Sequence, residues 1–91
     1  MTYKGFKNYF TWIVNQWLTE EENTNKAIQV LAYDAGDRVK PLAKEIEELV
    51  TRFENPLSGR NSLYADLLNT AFEEVDWQEI AEVFLKEKNS Q

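Results

Sequence analysis

Two helical stripes meet with almost no chain between them over residues 62–85, SLYADLLNTAFEEVDWQEIAEVFL. This joint limits the chain to folds in which two helices leave a shared corner at a fixed angle. Asp76 has the side chain of a helix N-cap, and Glu79 stands three residues on, where a capping-box acid belongs. Val75 and Ile80 flank the cap at the spacing of a hydrophobic staple. The spacing predicts one helix ending near Glu74 and the next starting at Trp77.

The rest of the chain continues the helical period. Phe6, Phe10, Ile13 and Trp17 repeat at 4-3-4 within a first helix expected over Thr2–Leu18, with Thr2 as its cap. Tyr9 and Trp12 fall off that stripe, so the helix is apolar over a wide arc. This reading buries Phe10 and Trp17 and leaves Trp12 open between burial and contact with a partner. A polar break, TEEENTN, follows, with Thr24 or Asn23 to cap a second helix over Asn25–Ala35. Its apolar face is Ala27, Ile28, Leu31, Ala32 and Ala35, and Gly36 is placed to end it in the left-handed conformation. A third helix is expected within Asp37–Phe53, on the stripe Val39, Leu42, Ala43, Ile46, Leu49, Val50 and Phe53. Pro41 belongs in its first turn, where a missing N–H is tolerated. Glu48 and Arg52 are spaced as an i,i+4 ion pair. The loop NPLSGRN at 55–61 leads to a fourth helix capped by Ser62 or Asn61. Its apolar positions are Leu63, Leu67, Leu68, Ala71, Phe72 and Val75. The fifth helix offers Trp77, Ile80, Ala81 and Phe84, with Val83 and Leu85 at the margin, and the polar tail KEKNSQ is expected to fray. No run with strand period and hairpin chemistry occurs. The expectation is a single all-α domain over residues 1–91, a compact bundle of four to five helices.

A 91-residue chain buries a modest fraction of its surface and needs an efficient core. Three Trp, four Tyr and five Phe supply the bulk for one. The chain contains no cysteine and no histidine. Disulfides, thiolate metal sites and cysteine nucleophiles are thereby excluded, as are the commonest general base and metal ligand. Ser58, Ser62 and Ser90 have no histidine to activate them, and three scattered glycines make no phosphate loop. The acids Glu73, Glu74, Asp76, Glu79 and Glu82 crowd the last joint, but no calcium-loop pattern is present. The expectation is a non-enzymatic protein with no metal and no cofactor. Asp66 and Asn69 lie three apart inside a helix in which both are poor formers. That placement assigns them either a hydrogen bond to a neighbouring element or recognition of a partner.

Sixteen acidic against ten basic residues give a net charge of −6. The balance argues against direct nucleic-acid binding, which needs a basic footprint. On charge alone it reads first as solubility, and it permits binding to a basic protein surface. No secretory signal and no apolar run of membrane-spanning length is present, so a cytoplasmic location is expected.

The segments FKNYFTWIVNQW at 6–17 and SLYADLLNTAFEEVDWQEIA at 62–81 resemble small uncharacterised acidic proteins carried by phages, plasmids and other mobile elements. The resemblance covers both ends of the chain and not its middle. It implies an inhibitor of a host defence system, of the anti-CRISPR or antirestriction type, that binds a defence protein in the host cell, in the simplest case at its nucleic-acid-binding surface. No catalytic residue is implied. Acids about a helical turn apart would present negative charge to a Lys/Arg-lined groove. The candidates are Glu45, Glu48, Glu73, Glu74, Glu79 and Glu82, with Glu20 to Glu22 as a second cluster. Asp66 and Asn69 are polar candidates, and Trp12 and Tyr64 are candidate aromatic anchors. The alternative is a homo-oligomeric structural or accessory protein of a phage or plasmid.

Overall fold

α5, Trp77–Asn89, is the helix around which the others pack. It buries Ile80, Ala81, Phe84 and Leu85 against α1 (Tyr9–Glu20), α2 (Glu22–Ala35) and α3 (Val39–Glu48). The remaining helix, α4 (Leu63–Glu73), lies at the edge of this group and packs on it sparsely. The computed structural model describes residues 2–53 and 55–89. Over those residues the fold is the all-α bundle expected, with five α-helices.

The core draws on short and long side chains in alternation. Ile28, Leu42, Ile46, Ile80 and Phe84 are fully enclosed. Each contributes ~1.5–3 kcal/mol by leaving water. Ala32, Ala35, Ala43 and Ala81 fill the positions between them, and their small side chains let the helix axes approach closely. Leu85, expected at the margin of α5, belongs to this core. Pro41 sits in the first turn of α3, as its missing N–H requires.

Several boundaries depart from the sequence expectation. α1 starts at Tyr9, not at Thr2. Residues 3–6 instead close a tight turn in which Tyr3 and Phe6 exchange backbone hydrogen bonds of 2.7 and 2.9 Å. Lys4 and Gly5 occupy its two corners with φ of 49° and 88°, a conformation that glycine tolerates and a helix excludes. Asn8 then caps α1, its Oδ1 accepting from the Thr11 N–H at 2.9 Å.

The helix phase also differs. Thr11, Asn15 and Leu18 form the buried face of α1, while Phe10 and Trp17 are exposed, Trp17 by 68%. On α4 the only fully buried residue is Ala65, and Leu63 and Leu67 face solvent. The third helix does not run on as an α-helix to Phe53. It widens at Leu49–Phe53 into a π-helical turn, within which the Thr51 hydroxyl donates to the Glu47 carbonyl at 2.7 Å. The expected Glu48–Arg52 ion pair is not among those formed by the described residues. The expected core place of the Phe53 side chain lies outside the described residues. α5 continues through Lys86–Asn89 where fraying was expected, because Lys88 donates to the Gly36 carbonyl at 2.9 Å and so ties the last turn to the end of α2. Ser90 and Gln91 lie outside the described residues.

Gly36 ends α2 with a positive φ of 66°, but its ψ of −129° lies far from the left-handed helical value. The start of α2 lies earlier than expected, because Glu21 is its cap in place of Thr24 or Asn23. One residue therefore serves two helices. The Glu21 N–H donates to the Trp17 carbonyl and closes α1, while its carboxylate accepts from the N–H and the hydroxyl of Thr24, both at 2.8 Å. The Thr24 backbone N–H, followed by its hydroxyl, holds the Glu21 carboxyl below its ordinary value of 4.5. A depressed carboxyl pKa contributes stability that is present above the unfolded-state value and is lost as pH falls through the folded one. Replacing Glu21 by Ala is therefore expected to lower the urea midpoint at neutral pH. The gap between variant and parent should close as acid protonates the carboxyl, which urea titrations across the acidic range will check.

Candidate protein-binding surface

The start of α1 and the α4–α5 joint are built as one unit. The Asp76 N–H donates to the Thr11 hydroxyl at 2.9 Å. That hydroxyl donates to Asn8 Oδ1 at 2.8 Å, and the Asn8 amide donates to the Glu74 carbonyl at 2.6 Å. Asp76 caps α5 as its position predicts, accepting from the Glu79 N–H at 3.1 Å. Val75 and Ile80, the staple pair, are both buried in the core. The capping box is not reciprocal, however. Glu79 Oε1 accepts from the Lys7 N–H at 2.8 Å, and Thr11 takes the Asp76 N–H that Glu79 was expected to hold. The Asn8–Thr11 spacing of an N-cap was the sequence signal for this arrangement. Its long-range half depends on tertiary structure.

This unit decides what the nearby candidates are free to do. Glu79 is half-buried and engaged. Glu74 lends its carbonyl to Asn8 while its side chain stays exposed. Trp12 is half-buried within a cluster of rings, 5.2 Å from Tyr3 and 5.8 Å from Tyr9 between centroids. The Lys4 ammonium lies 4.5 Å from its ring centre. Trp12 thus clamps the N-terminal turn onto α1.

The other candidates are spread over separate faces. Glu45 is exposed on α3 and Glu48 is half-buried at its end. Glu82 is exposed on α5 and shares a groove of about 550 Å³ with Glu79, Phe6, Val39 and Lys86. Asn69 and Glu73 open with Glu47 and Thr51 onto a smaller groove of about 220 Å³, floored by Phe72, Val75 and Trp77. Adjoining the second of these is a groove edged by Lys7, Lys40 and Lys44 together with Glu47 and Asp76. The groove-lining candidate acids are therefore distributed over two grooves, Glu79 and Glu82 on one and Glu73 on the other, with lysines interspersed. Glu20 to Glu22 stand apart at the α1–α2 joint. Glu22 pairs with Lys26 at 3.0 Å, and Glu21 is spent on its cap.

Asp66 and Asn69 are both exposed, and neither side chain hydrogen-bonds a neighbouring element. Tyr64 is exposed by 72%, beside Leu63 and Leu67. The apolar surface that sequence reasoning assigned to the core continues into a groove of about 350 Å³ lined by Trp17, Val50, Pro56, Leu68 and Phe72. One buried polar atom on α1, Asn15 Oδ1, has no partner among the described residues.

Among the described residues no three acidic side chains converge to hold a metal ion, and no helix is long and apolar enough to cross a membrane. Comparison with protein-family models, curated proteins and solved structures finds no match for the chain.

Thr11 is fully buried, so the relay through its hydroxyl has no water to replace it. Thr11→Val keeps the volume and strands the Asp76 N–H, while Asn8 Oδ1 keeps the backbone N–H of residue 11. The expected loss is ~1–3 kcal/mol in urea unfolding, most of it recovered by Thr11→Ser.

Proposed function

We propose that the chain is a non-enzymatic inhibitor that acts by binding a basic protein of a host defence system, of the anti-CRISPR or antirestriction type. The observation that carries this reading is the groove at the α3–α4 edge, where Glu47, Glu73 and Asn69 open together over an aromatic floor. No lysine or arginine lines that groove itself; Glu47 also borders the adjoining groove edged by Lys7, Lys40 and Lys44, which leaves Glu73 as the carboxylate turned to a partner's cations. A guanidinium entering it would meet that carboxylate to accept its N–H groups and ring faces to stack on. The resemblance of both chain ends to mobile-element proteins supports the choice of partner, and the net charge of −6 supports its sign. Such a partner uses its basic surface for nucleic acid, and occupation of that surface would block it. The inhibitor works in the host cytoplasm in this reading.

Electrostatic steering makes the association rate salt-dependent. Immobilised protein should retain a nucleic-acid-binding defence complex at low salt and release it as salt rises. Charge reversal at Glu47 and Glu73 together is expected to weaken retention on the order of 100-fold, within the range for lost interfacial charge pairs. Retention unchanged by that reversal would remove the groove from the interface. The same variants should restore nucleic-acid binding by the complex in a competition assay.

A further inference from the structure

We propose that the outer face of α4 is a dimer interface, on which a second copy of this chain packs antiparallel about a twofold axis through Leu67. Leu63, Tyr64 and Leu67 are exposed by 68%, 72% and 61% on this helix, and Trp17 by 68% beside its groove. With aromatic side chains offering ~150–250 Å² each, these residues and the groove wall present on the order of 600 Å² of apolar surface. That is at the upper end for the largest patch on a typical monomer, about 300–600 Å². It approaches the ~800 Å² per partner of a stable interface. The rest of the bundle does not cover it, since Ala65 is the one residue of α4 that packs fully inward.

The sequence of α4 fits its own reverse. With Leu67 on the axis, each residue faces the one equally far on the other side. Leu63 of one copy meets the small Ala71 of the other, and Tyr64 meets Thr70. Arg60, exposed just before the helix, meets Glu74, exposed at its end. The remaining acids avoid one another, since Asp66 and Glu73 lie more than about a quarter turn away from the contact line through Leu67. Antiparallel packing also sets the positive end of each helix dipole beside the negative end of the other. The chain therefore pairs two copies of net charge −6 through a strip where opposite charges coincide.

The test is the mass in solution, read by sedimentation equilibrium, with no partner protein present, so that its result is independent of the inhibitor reading. The expected species has twice the 10.7 kDa of one chain. Leu67→Lys leaves the fold intact by circular dichroism, because the residue is exposed. It should weaken association on the order of 100-fold or more, as the change enters twice in a twofold dimer. Arg60→Glu and Glu74→Arg should each weaken the homodimer, and mixing the two variants should restore a dimer containing one of each. A wild-type monomer at high concentration overturns the proposal. If that monomer then loses capture of a defence complex on Leu67→Lys, the face belongs to a heterologous partner. A dimer indifferent to Leu67→Lys overturns it as well, and a mixture of the charge variants that stays monomeric overturns the antiparallel pairing.

Discussion

The relay from the Asp76 N–H through the Thr11 hydroxyl to Asn8 is the interaction on which the remainder of the structure depends. It caps α1 and holds the α4–α5 corner at the same time. Helix N-termini leave backbone donors without partners, and this protein brings two such ends together, Asn8 accepting from one and Thr11 from the other. The hydroxyl of Thr11 is donor to one side and acceptor from the other, which a threonine can do and a valine of the same shape cannot. α1 is placed by this contact with its Thr11–Asn15–Leu18 face inward. Its apolar residues Phe10 and Trp17 are turned outward as a result.

That inversion separates what could be read in the sequence from what could not. The α4–α5 joint was legible because a cap and a staple are local, set within five residues of Asp76. The buried stripes of α2, α3 and α5 were legible because each has one apolar face. α1 and α4 were not, since both carry apolar residues around more than half their circumference. On α1 the periodicity favoured the larger side chains, and the buried face proved to be the one whose polar groups find partners across the fold. The tight turn at Lys4–Gly5 was marked by its glycine, and the π-helical turn at Leu49–Phe53 carries no comparable mark. For the candidate surface, the excess of acid was plain from composition. Lys7, from the segment before α1, and Lys40 and Lys44, from α3, come together with Glu47 and Asp76 only through folding.

The outcome is a molecule with two different kinds of surface on neighbouring sides of one helix. The outer side of α4 is apolar, while the edge it shares with α3 is acidic around Asn69 and Glu73. Buried apolar area and exposed charge support binding in different ways, the first by holding a complex together and the second by directing its approach. A dimer formed on the apolar side would carry two acidic edges at a fixed separation. It would engage a partner with two basic sites more strongly than either edge alone.

The span of the relay also bears on how the chain reaches its native state. Lys7, Asn8 and Thr11 find their partners 65 to 72 residues away along the chain. Small helical proteins fold fast because most of their contacts are local. Here the first helix lacks the long-range half of its cap until residues 74–79 have arrived, although it already has α2 as a hairpin neighbour. Closure of the two ends of the sequence spans the longest loop among these contacts, and it is what sets α5 among α1, α2 and α3.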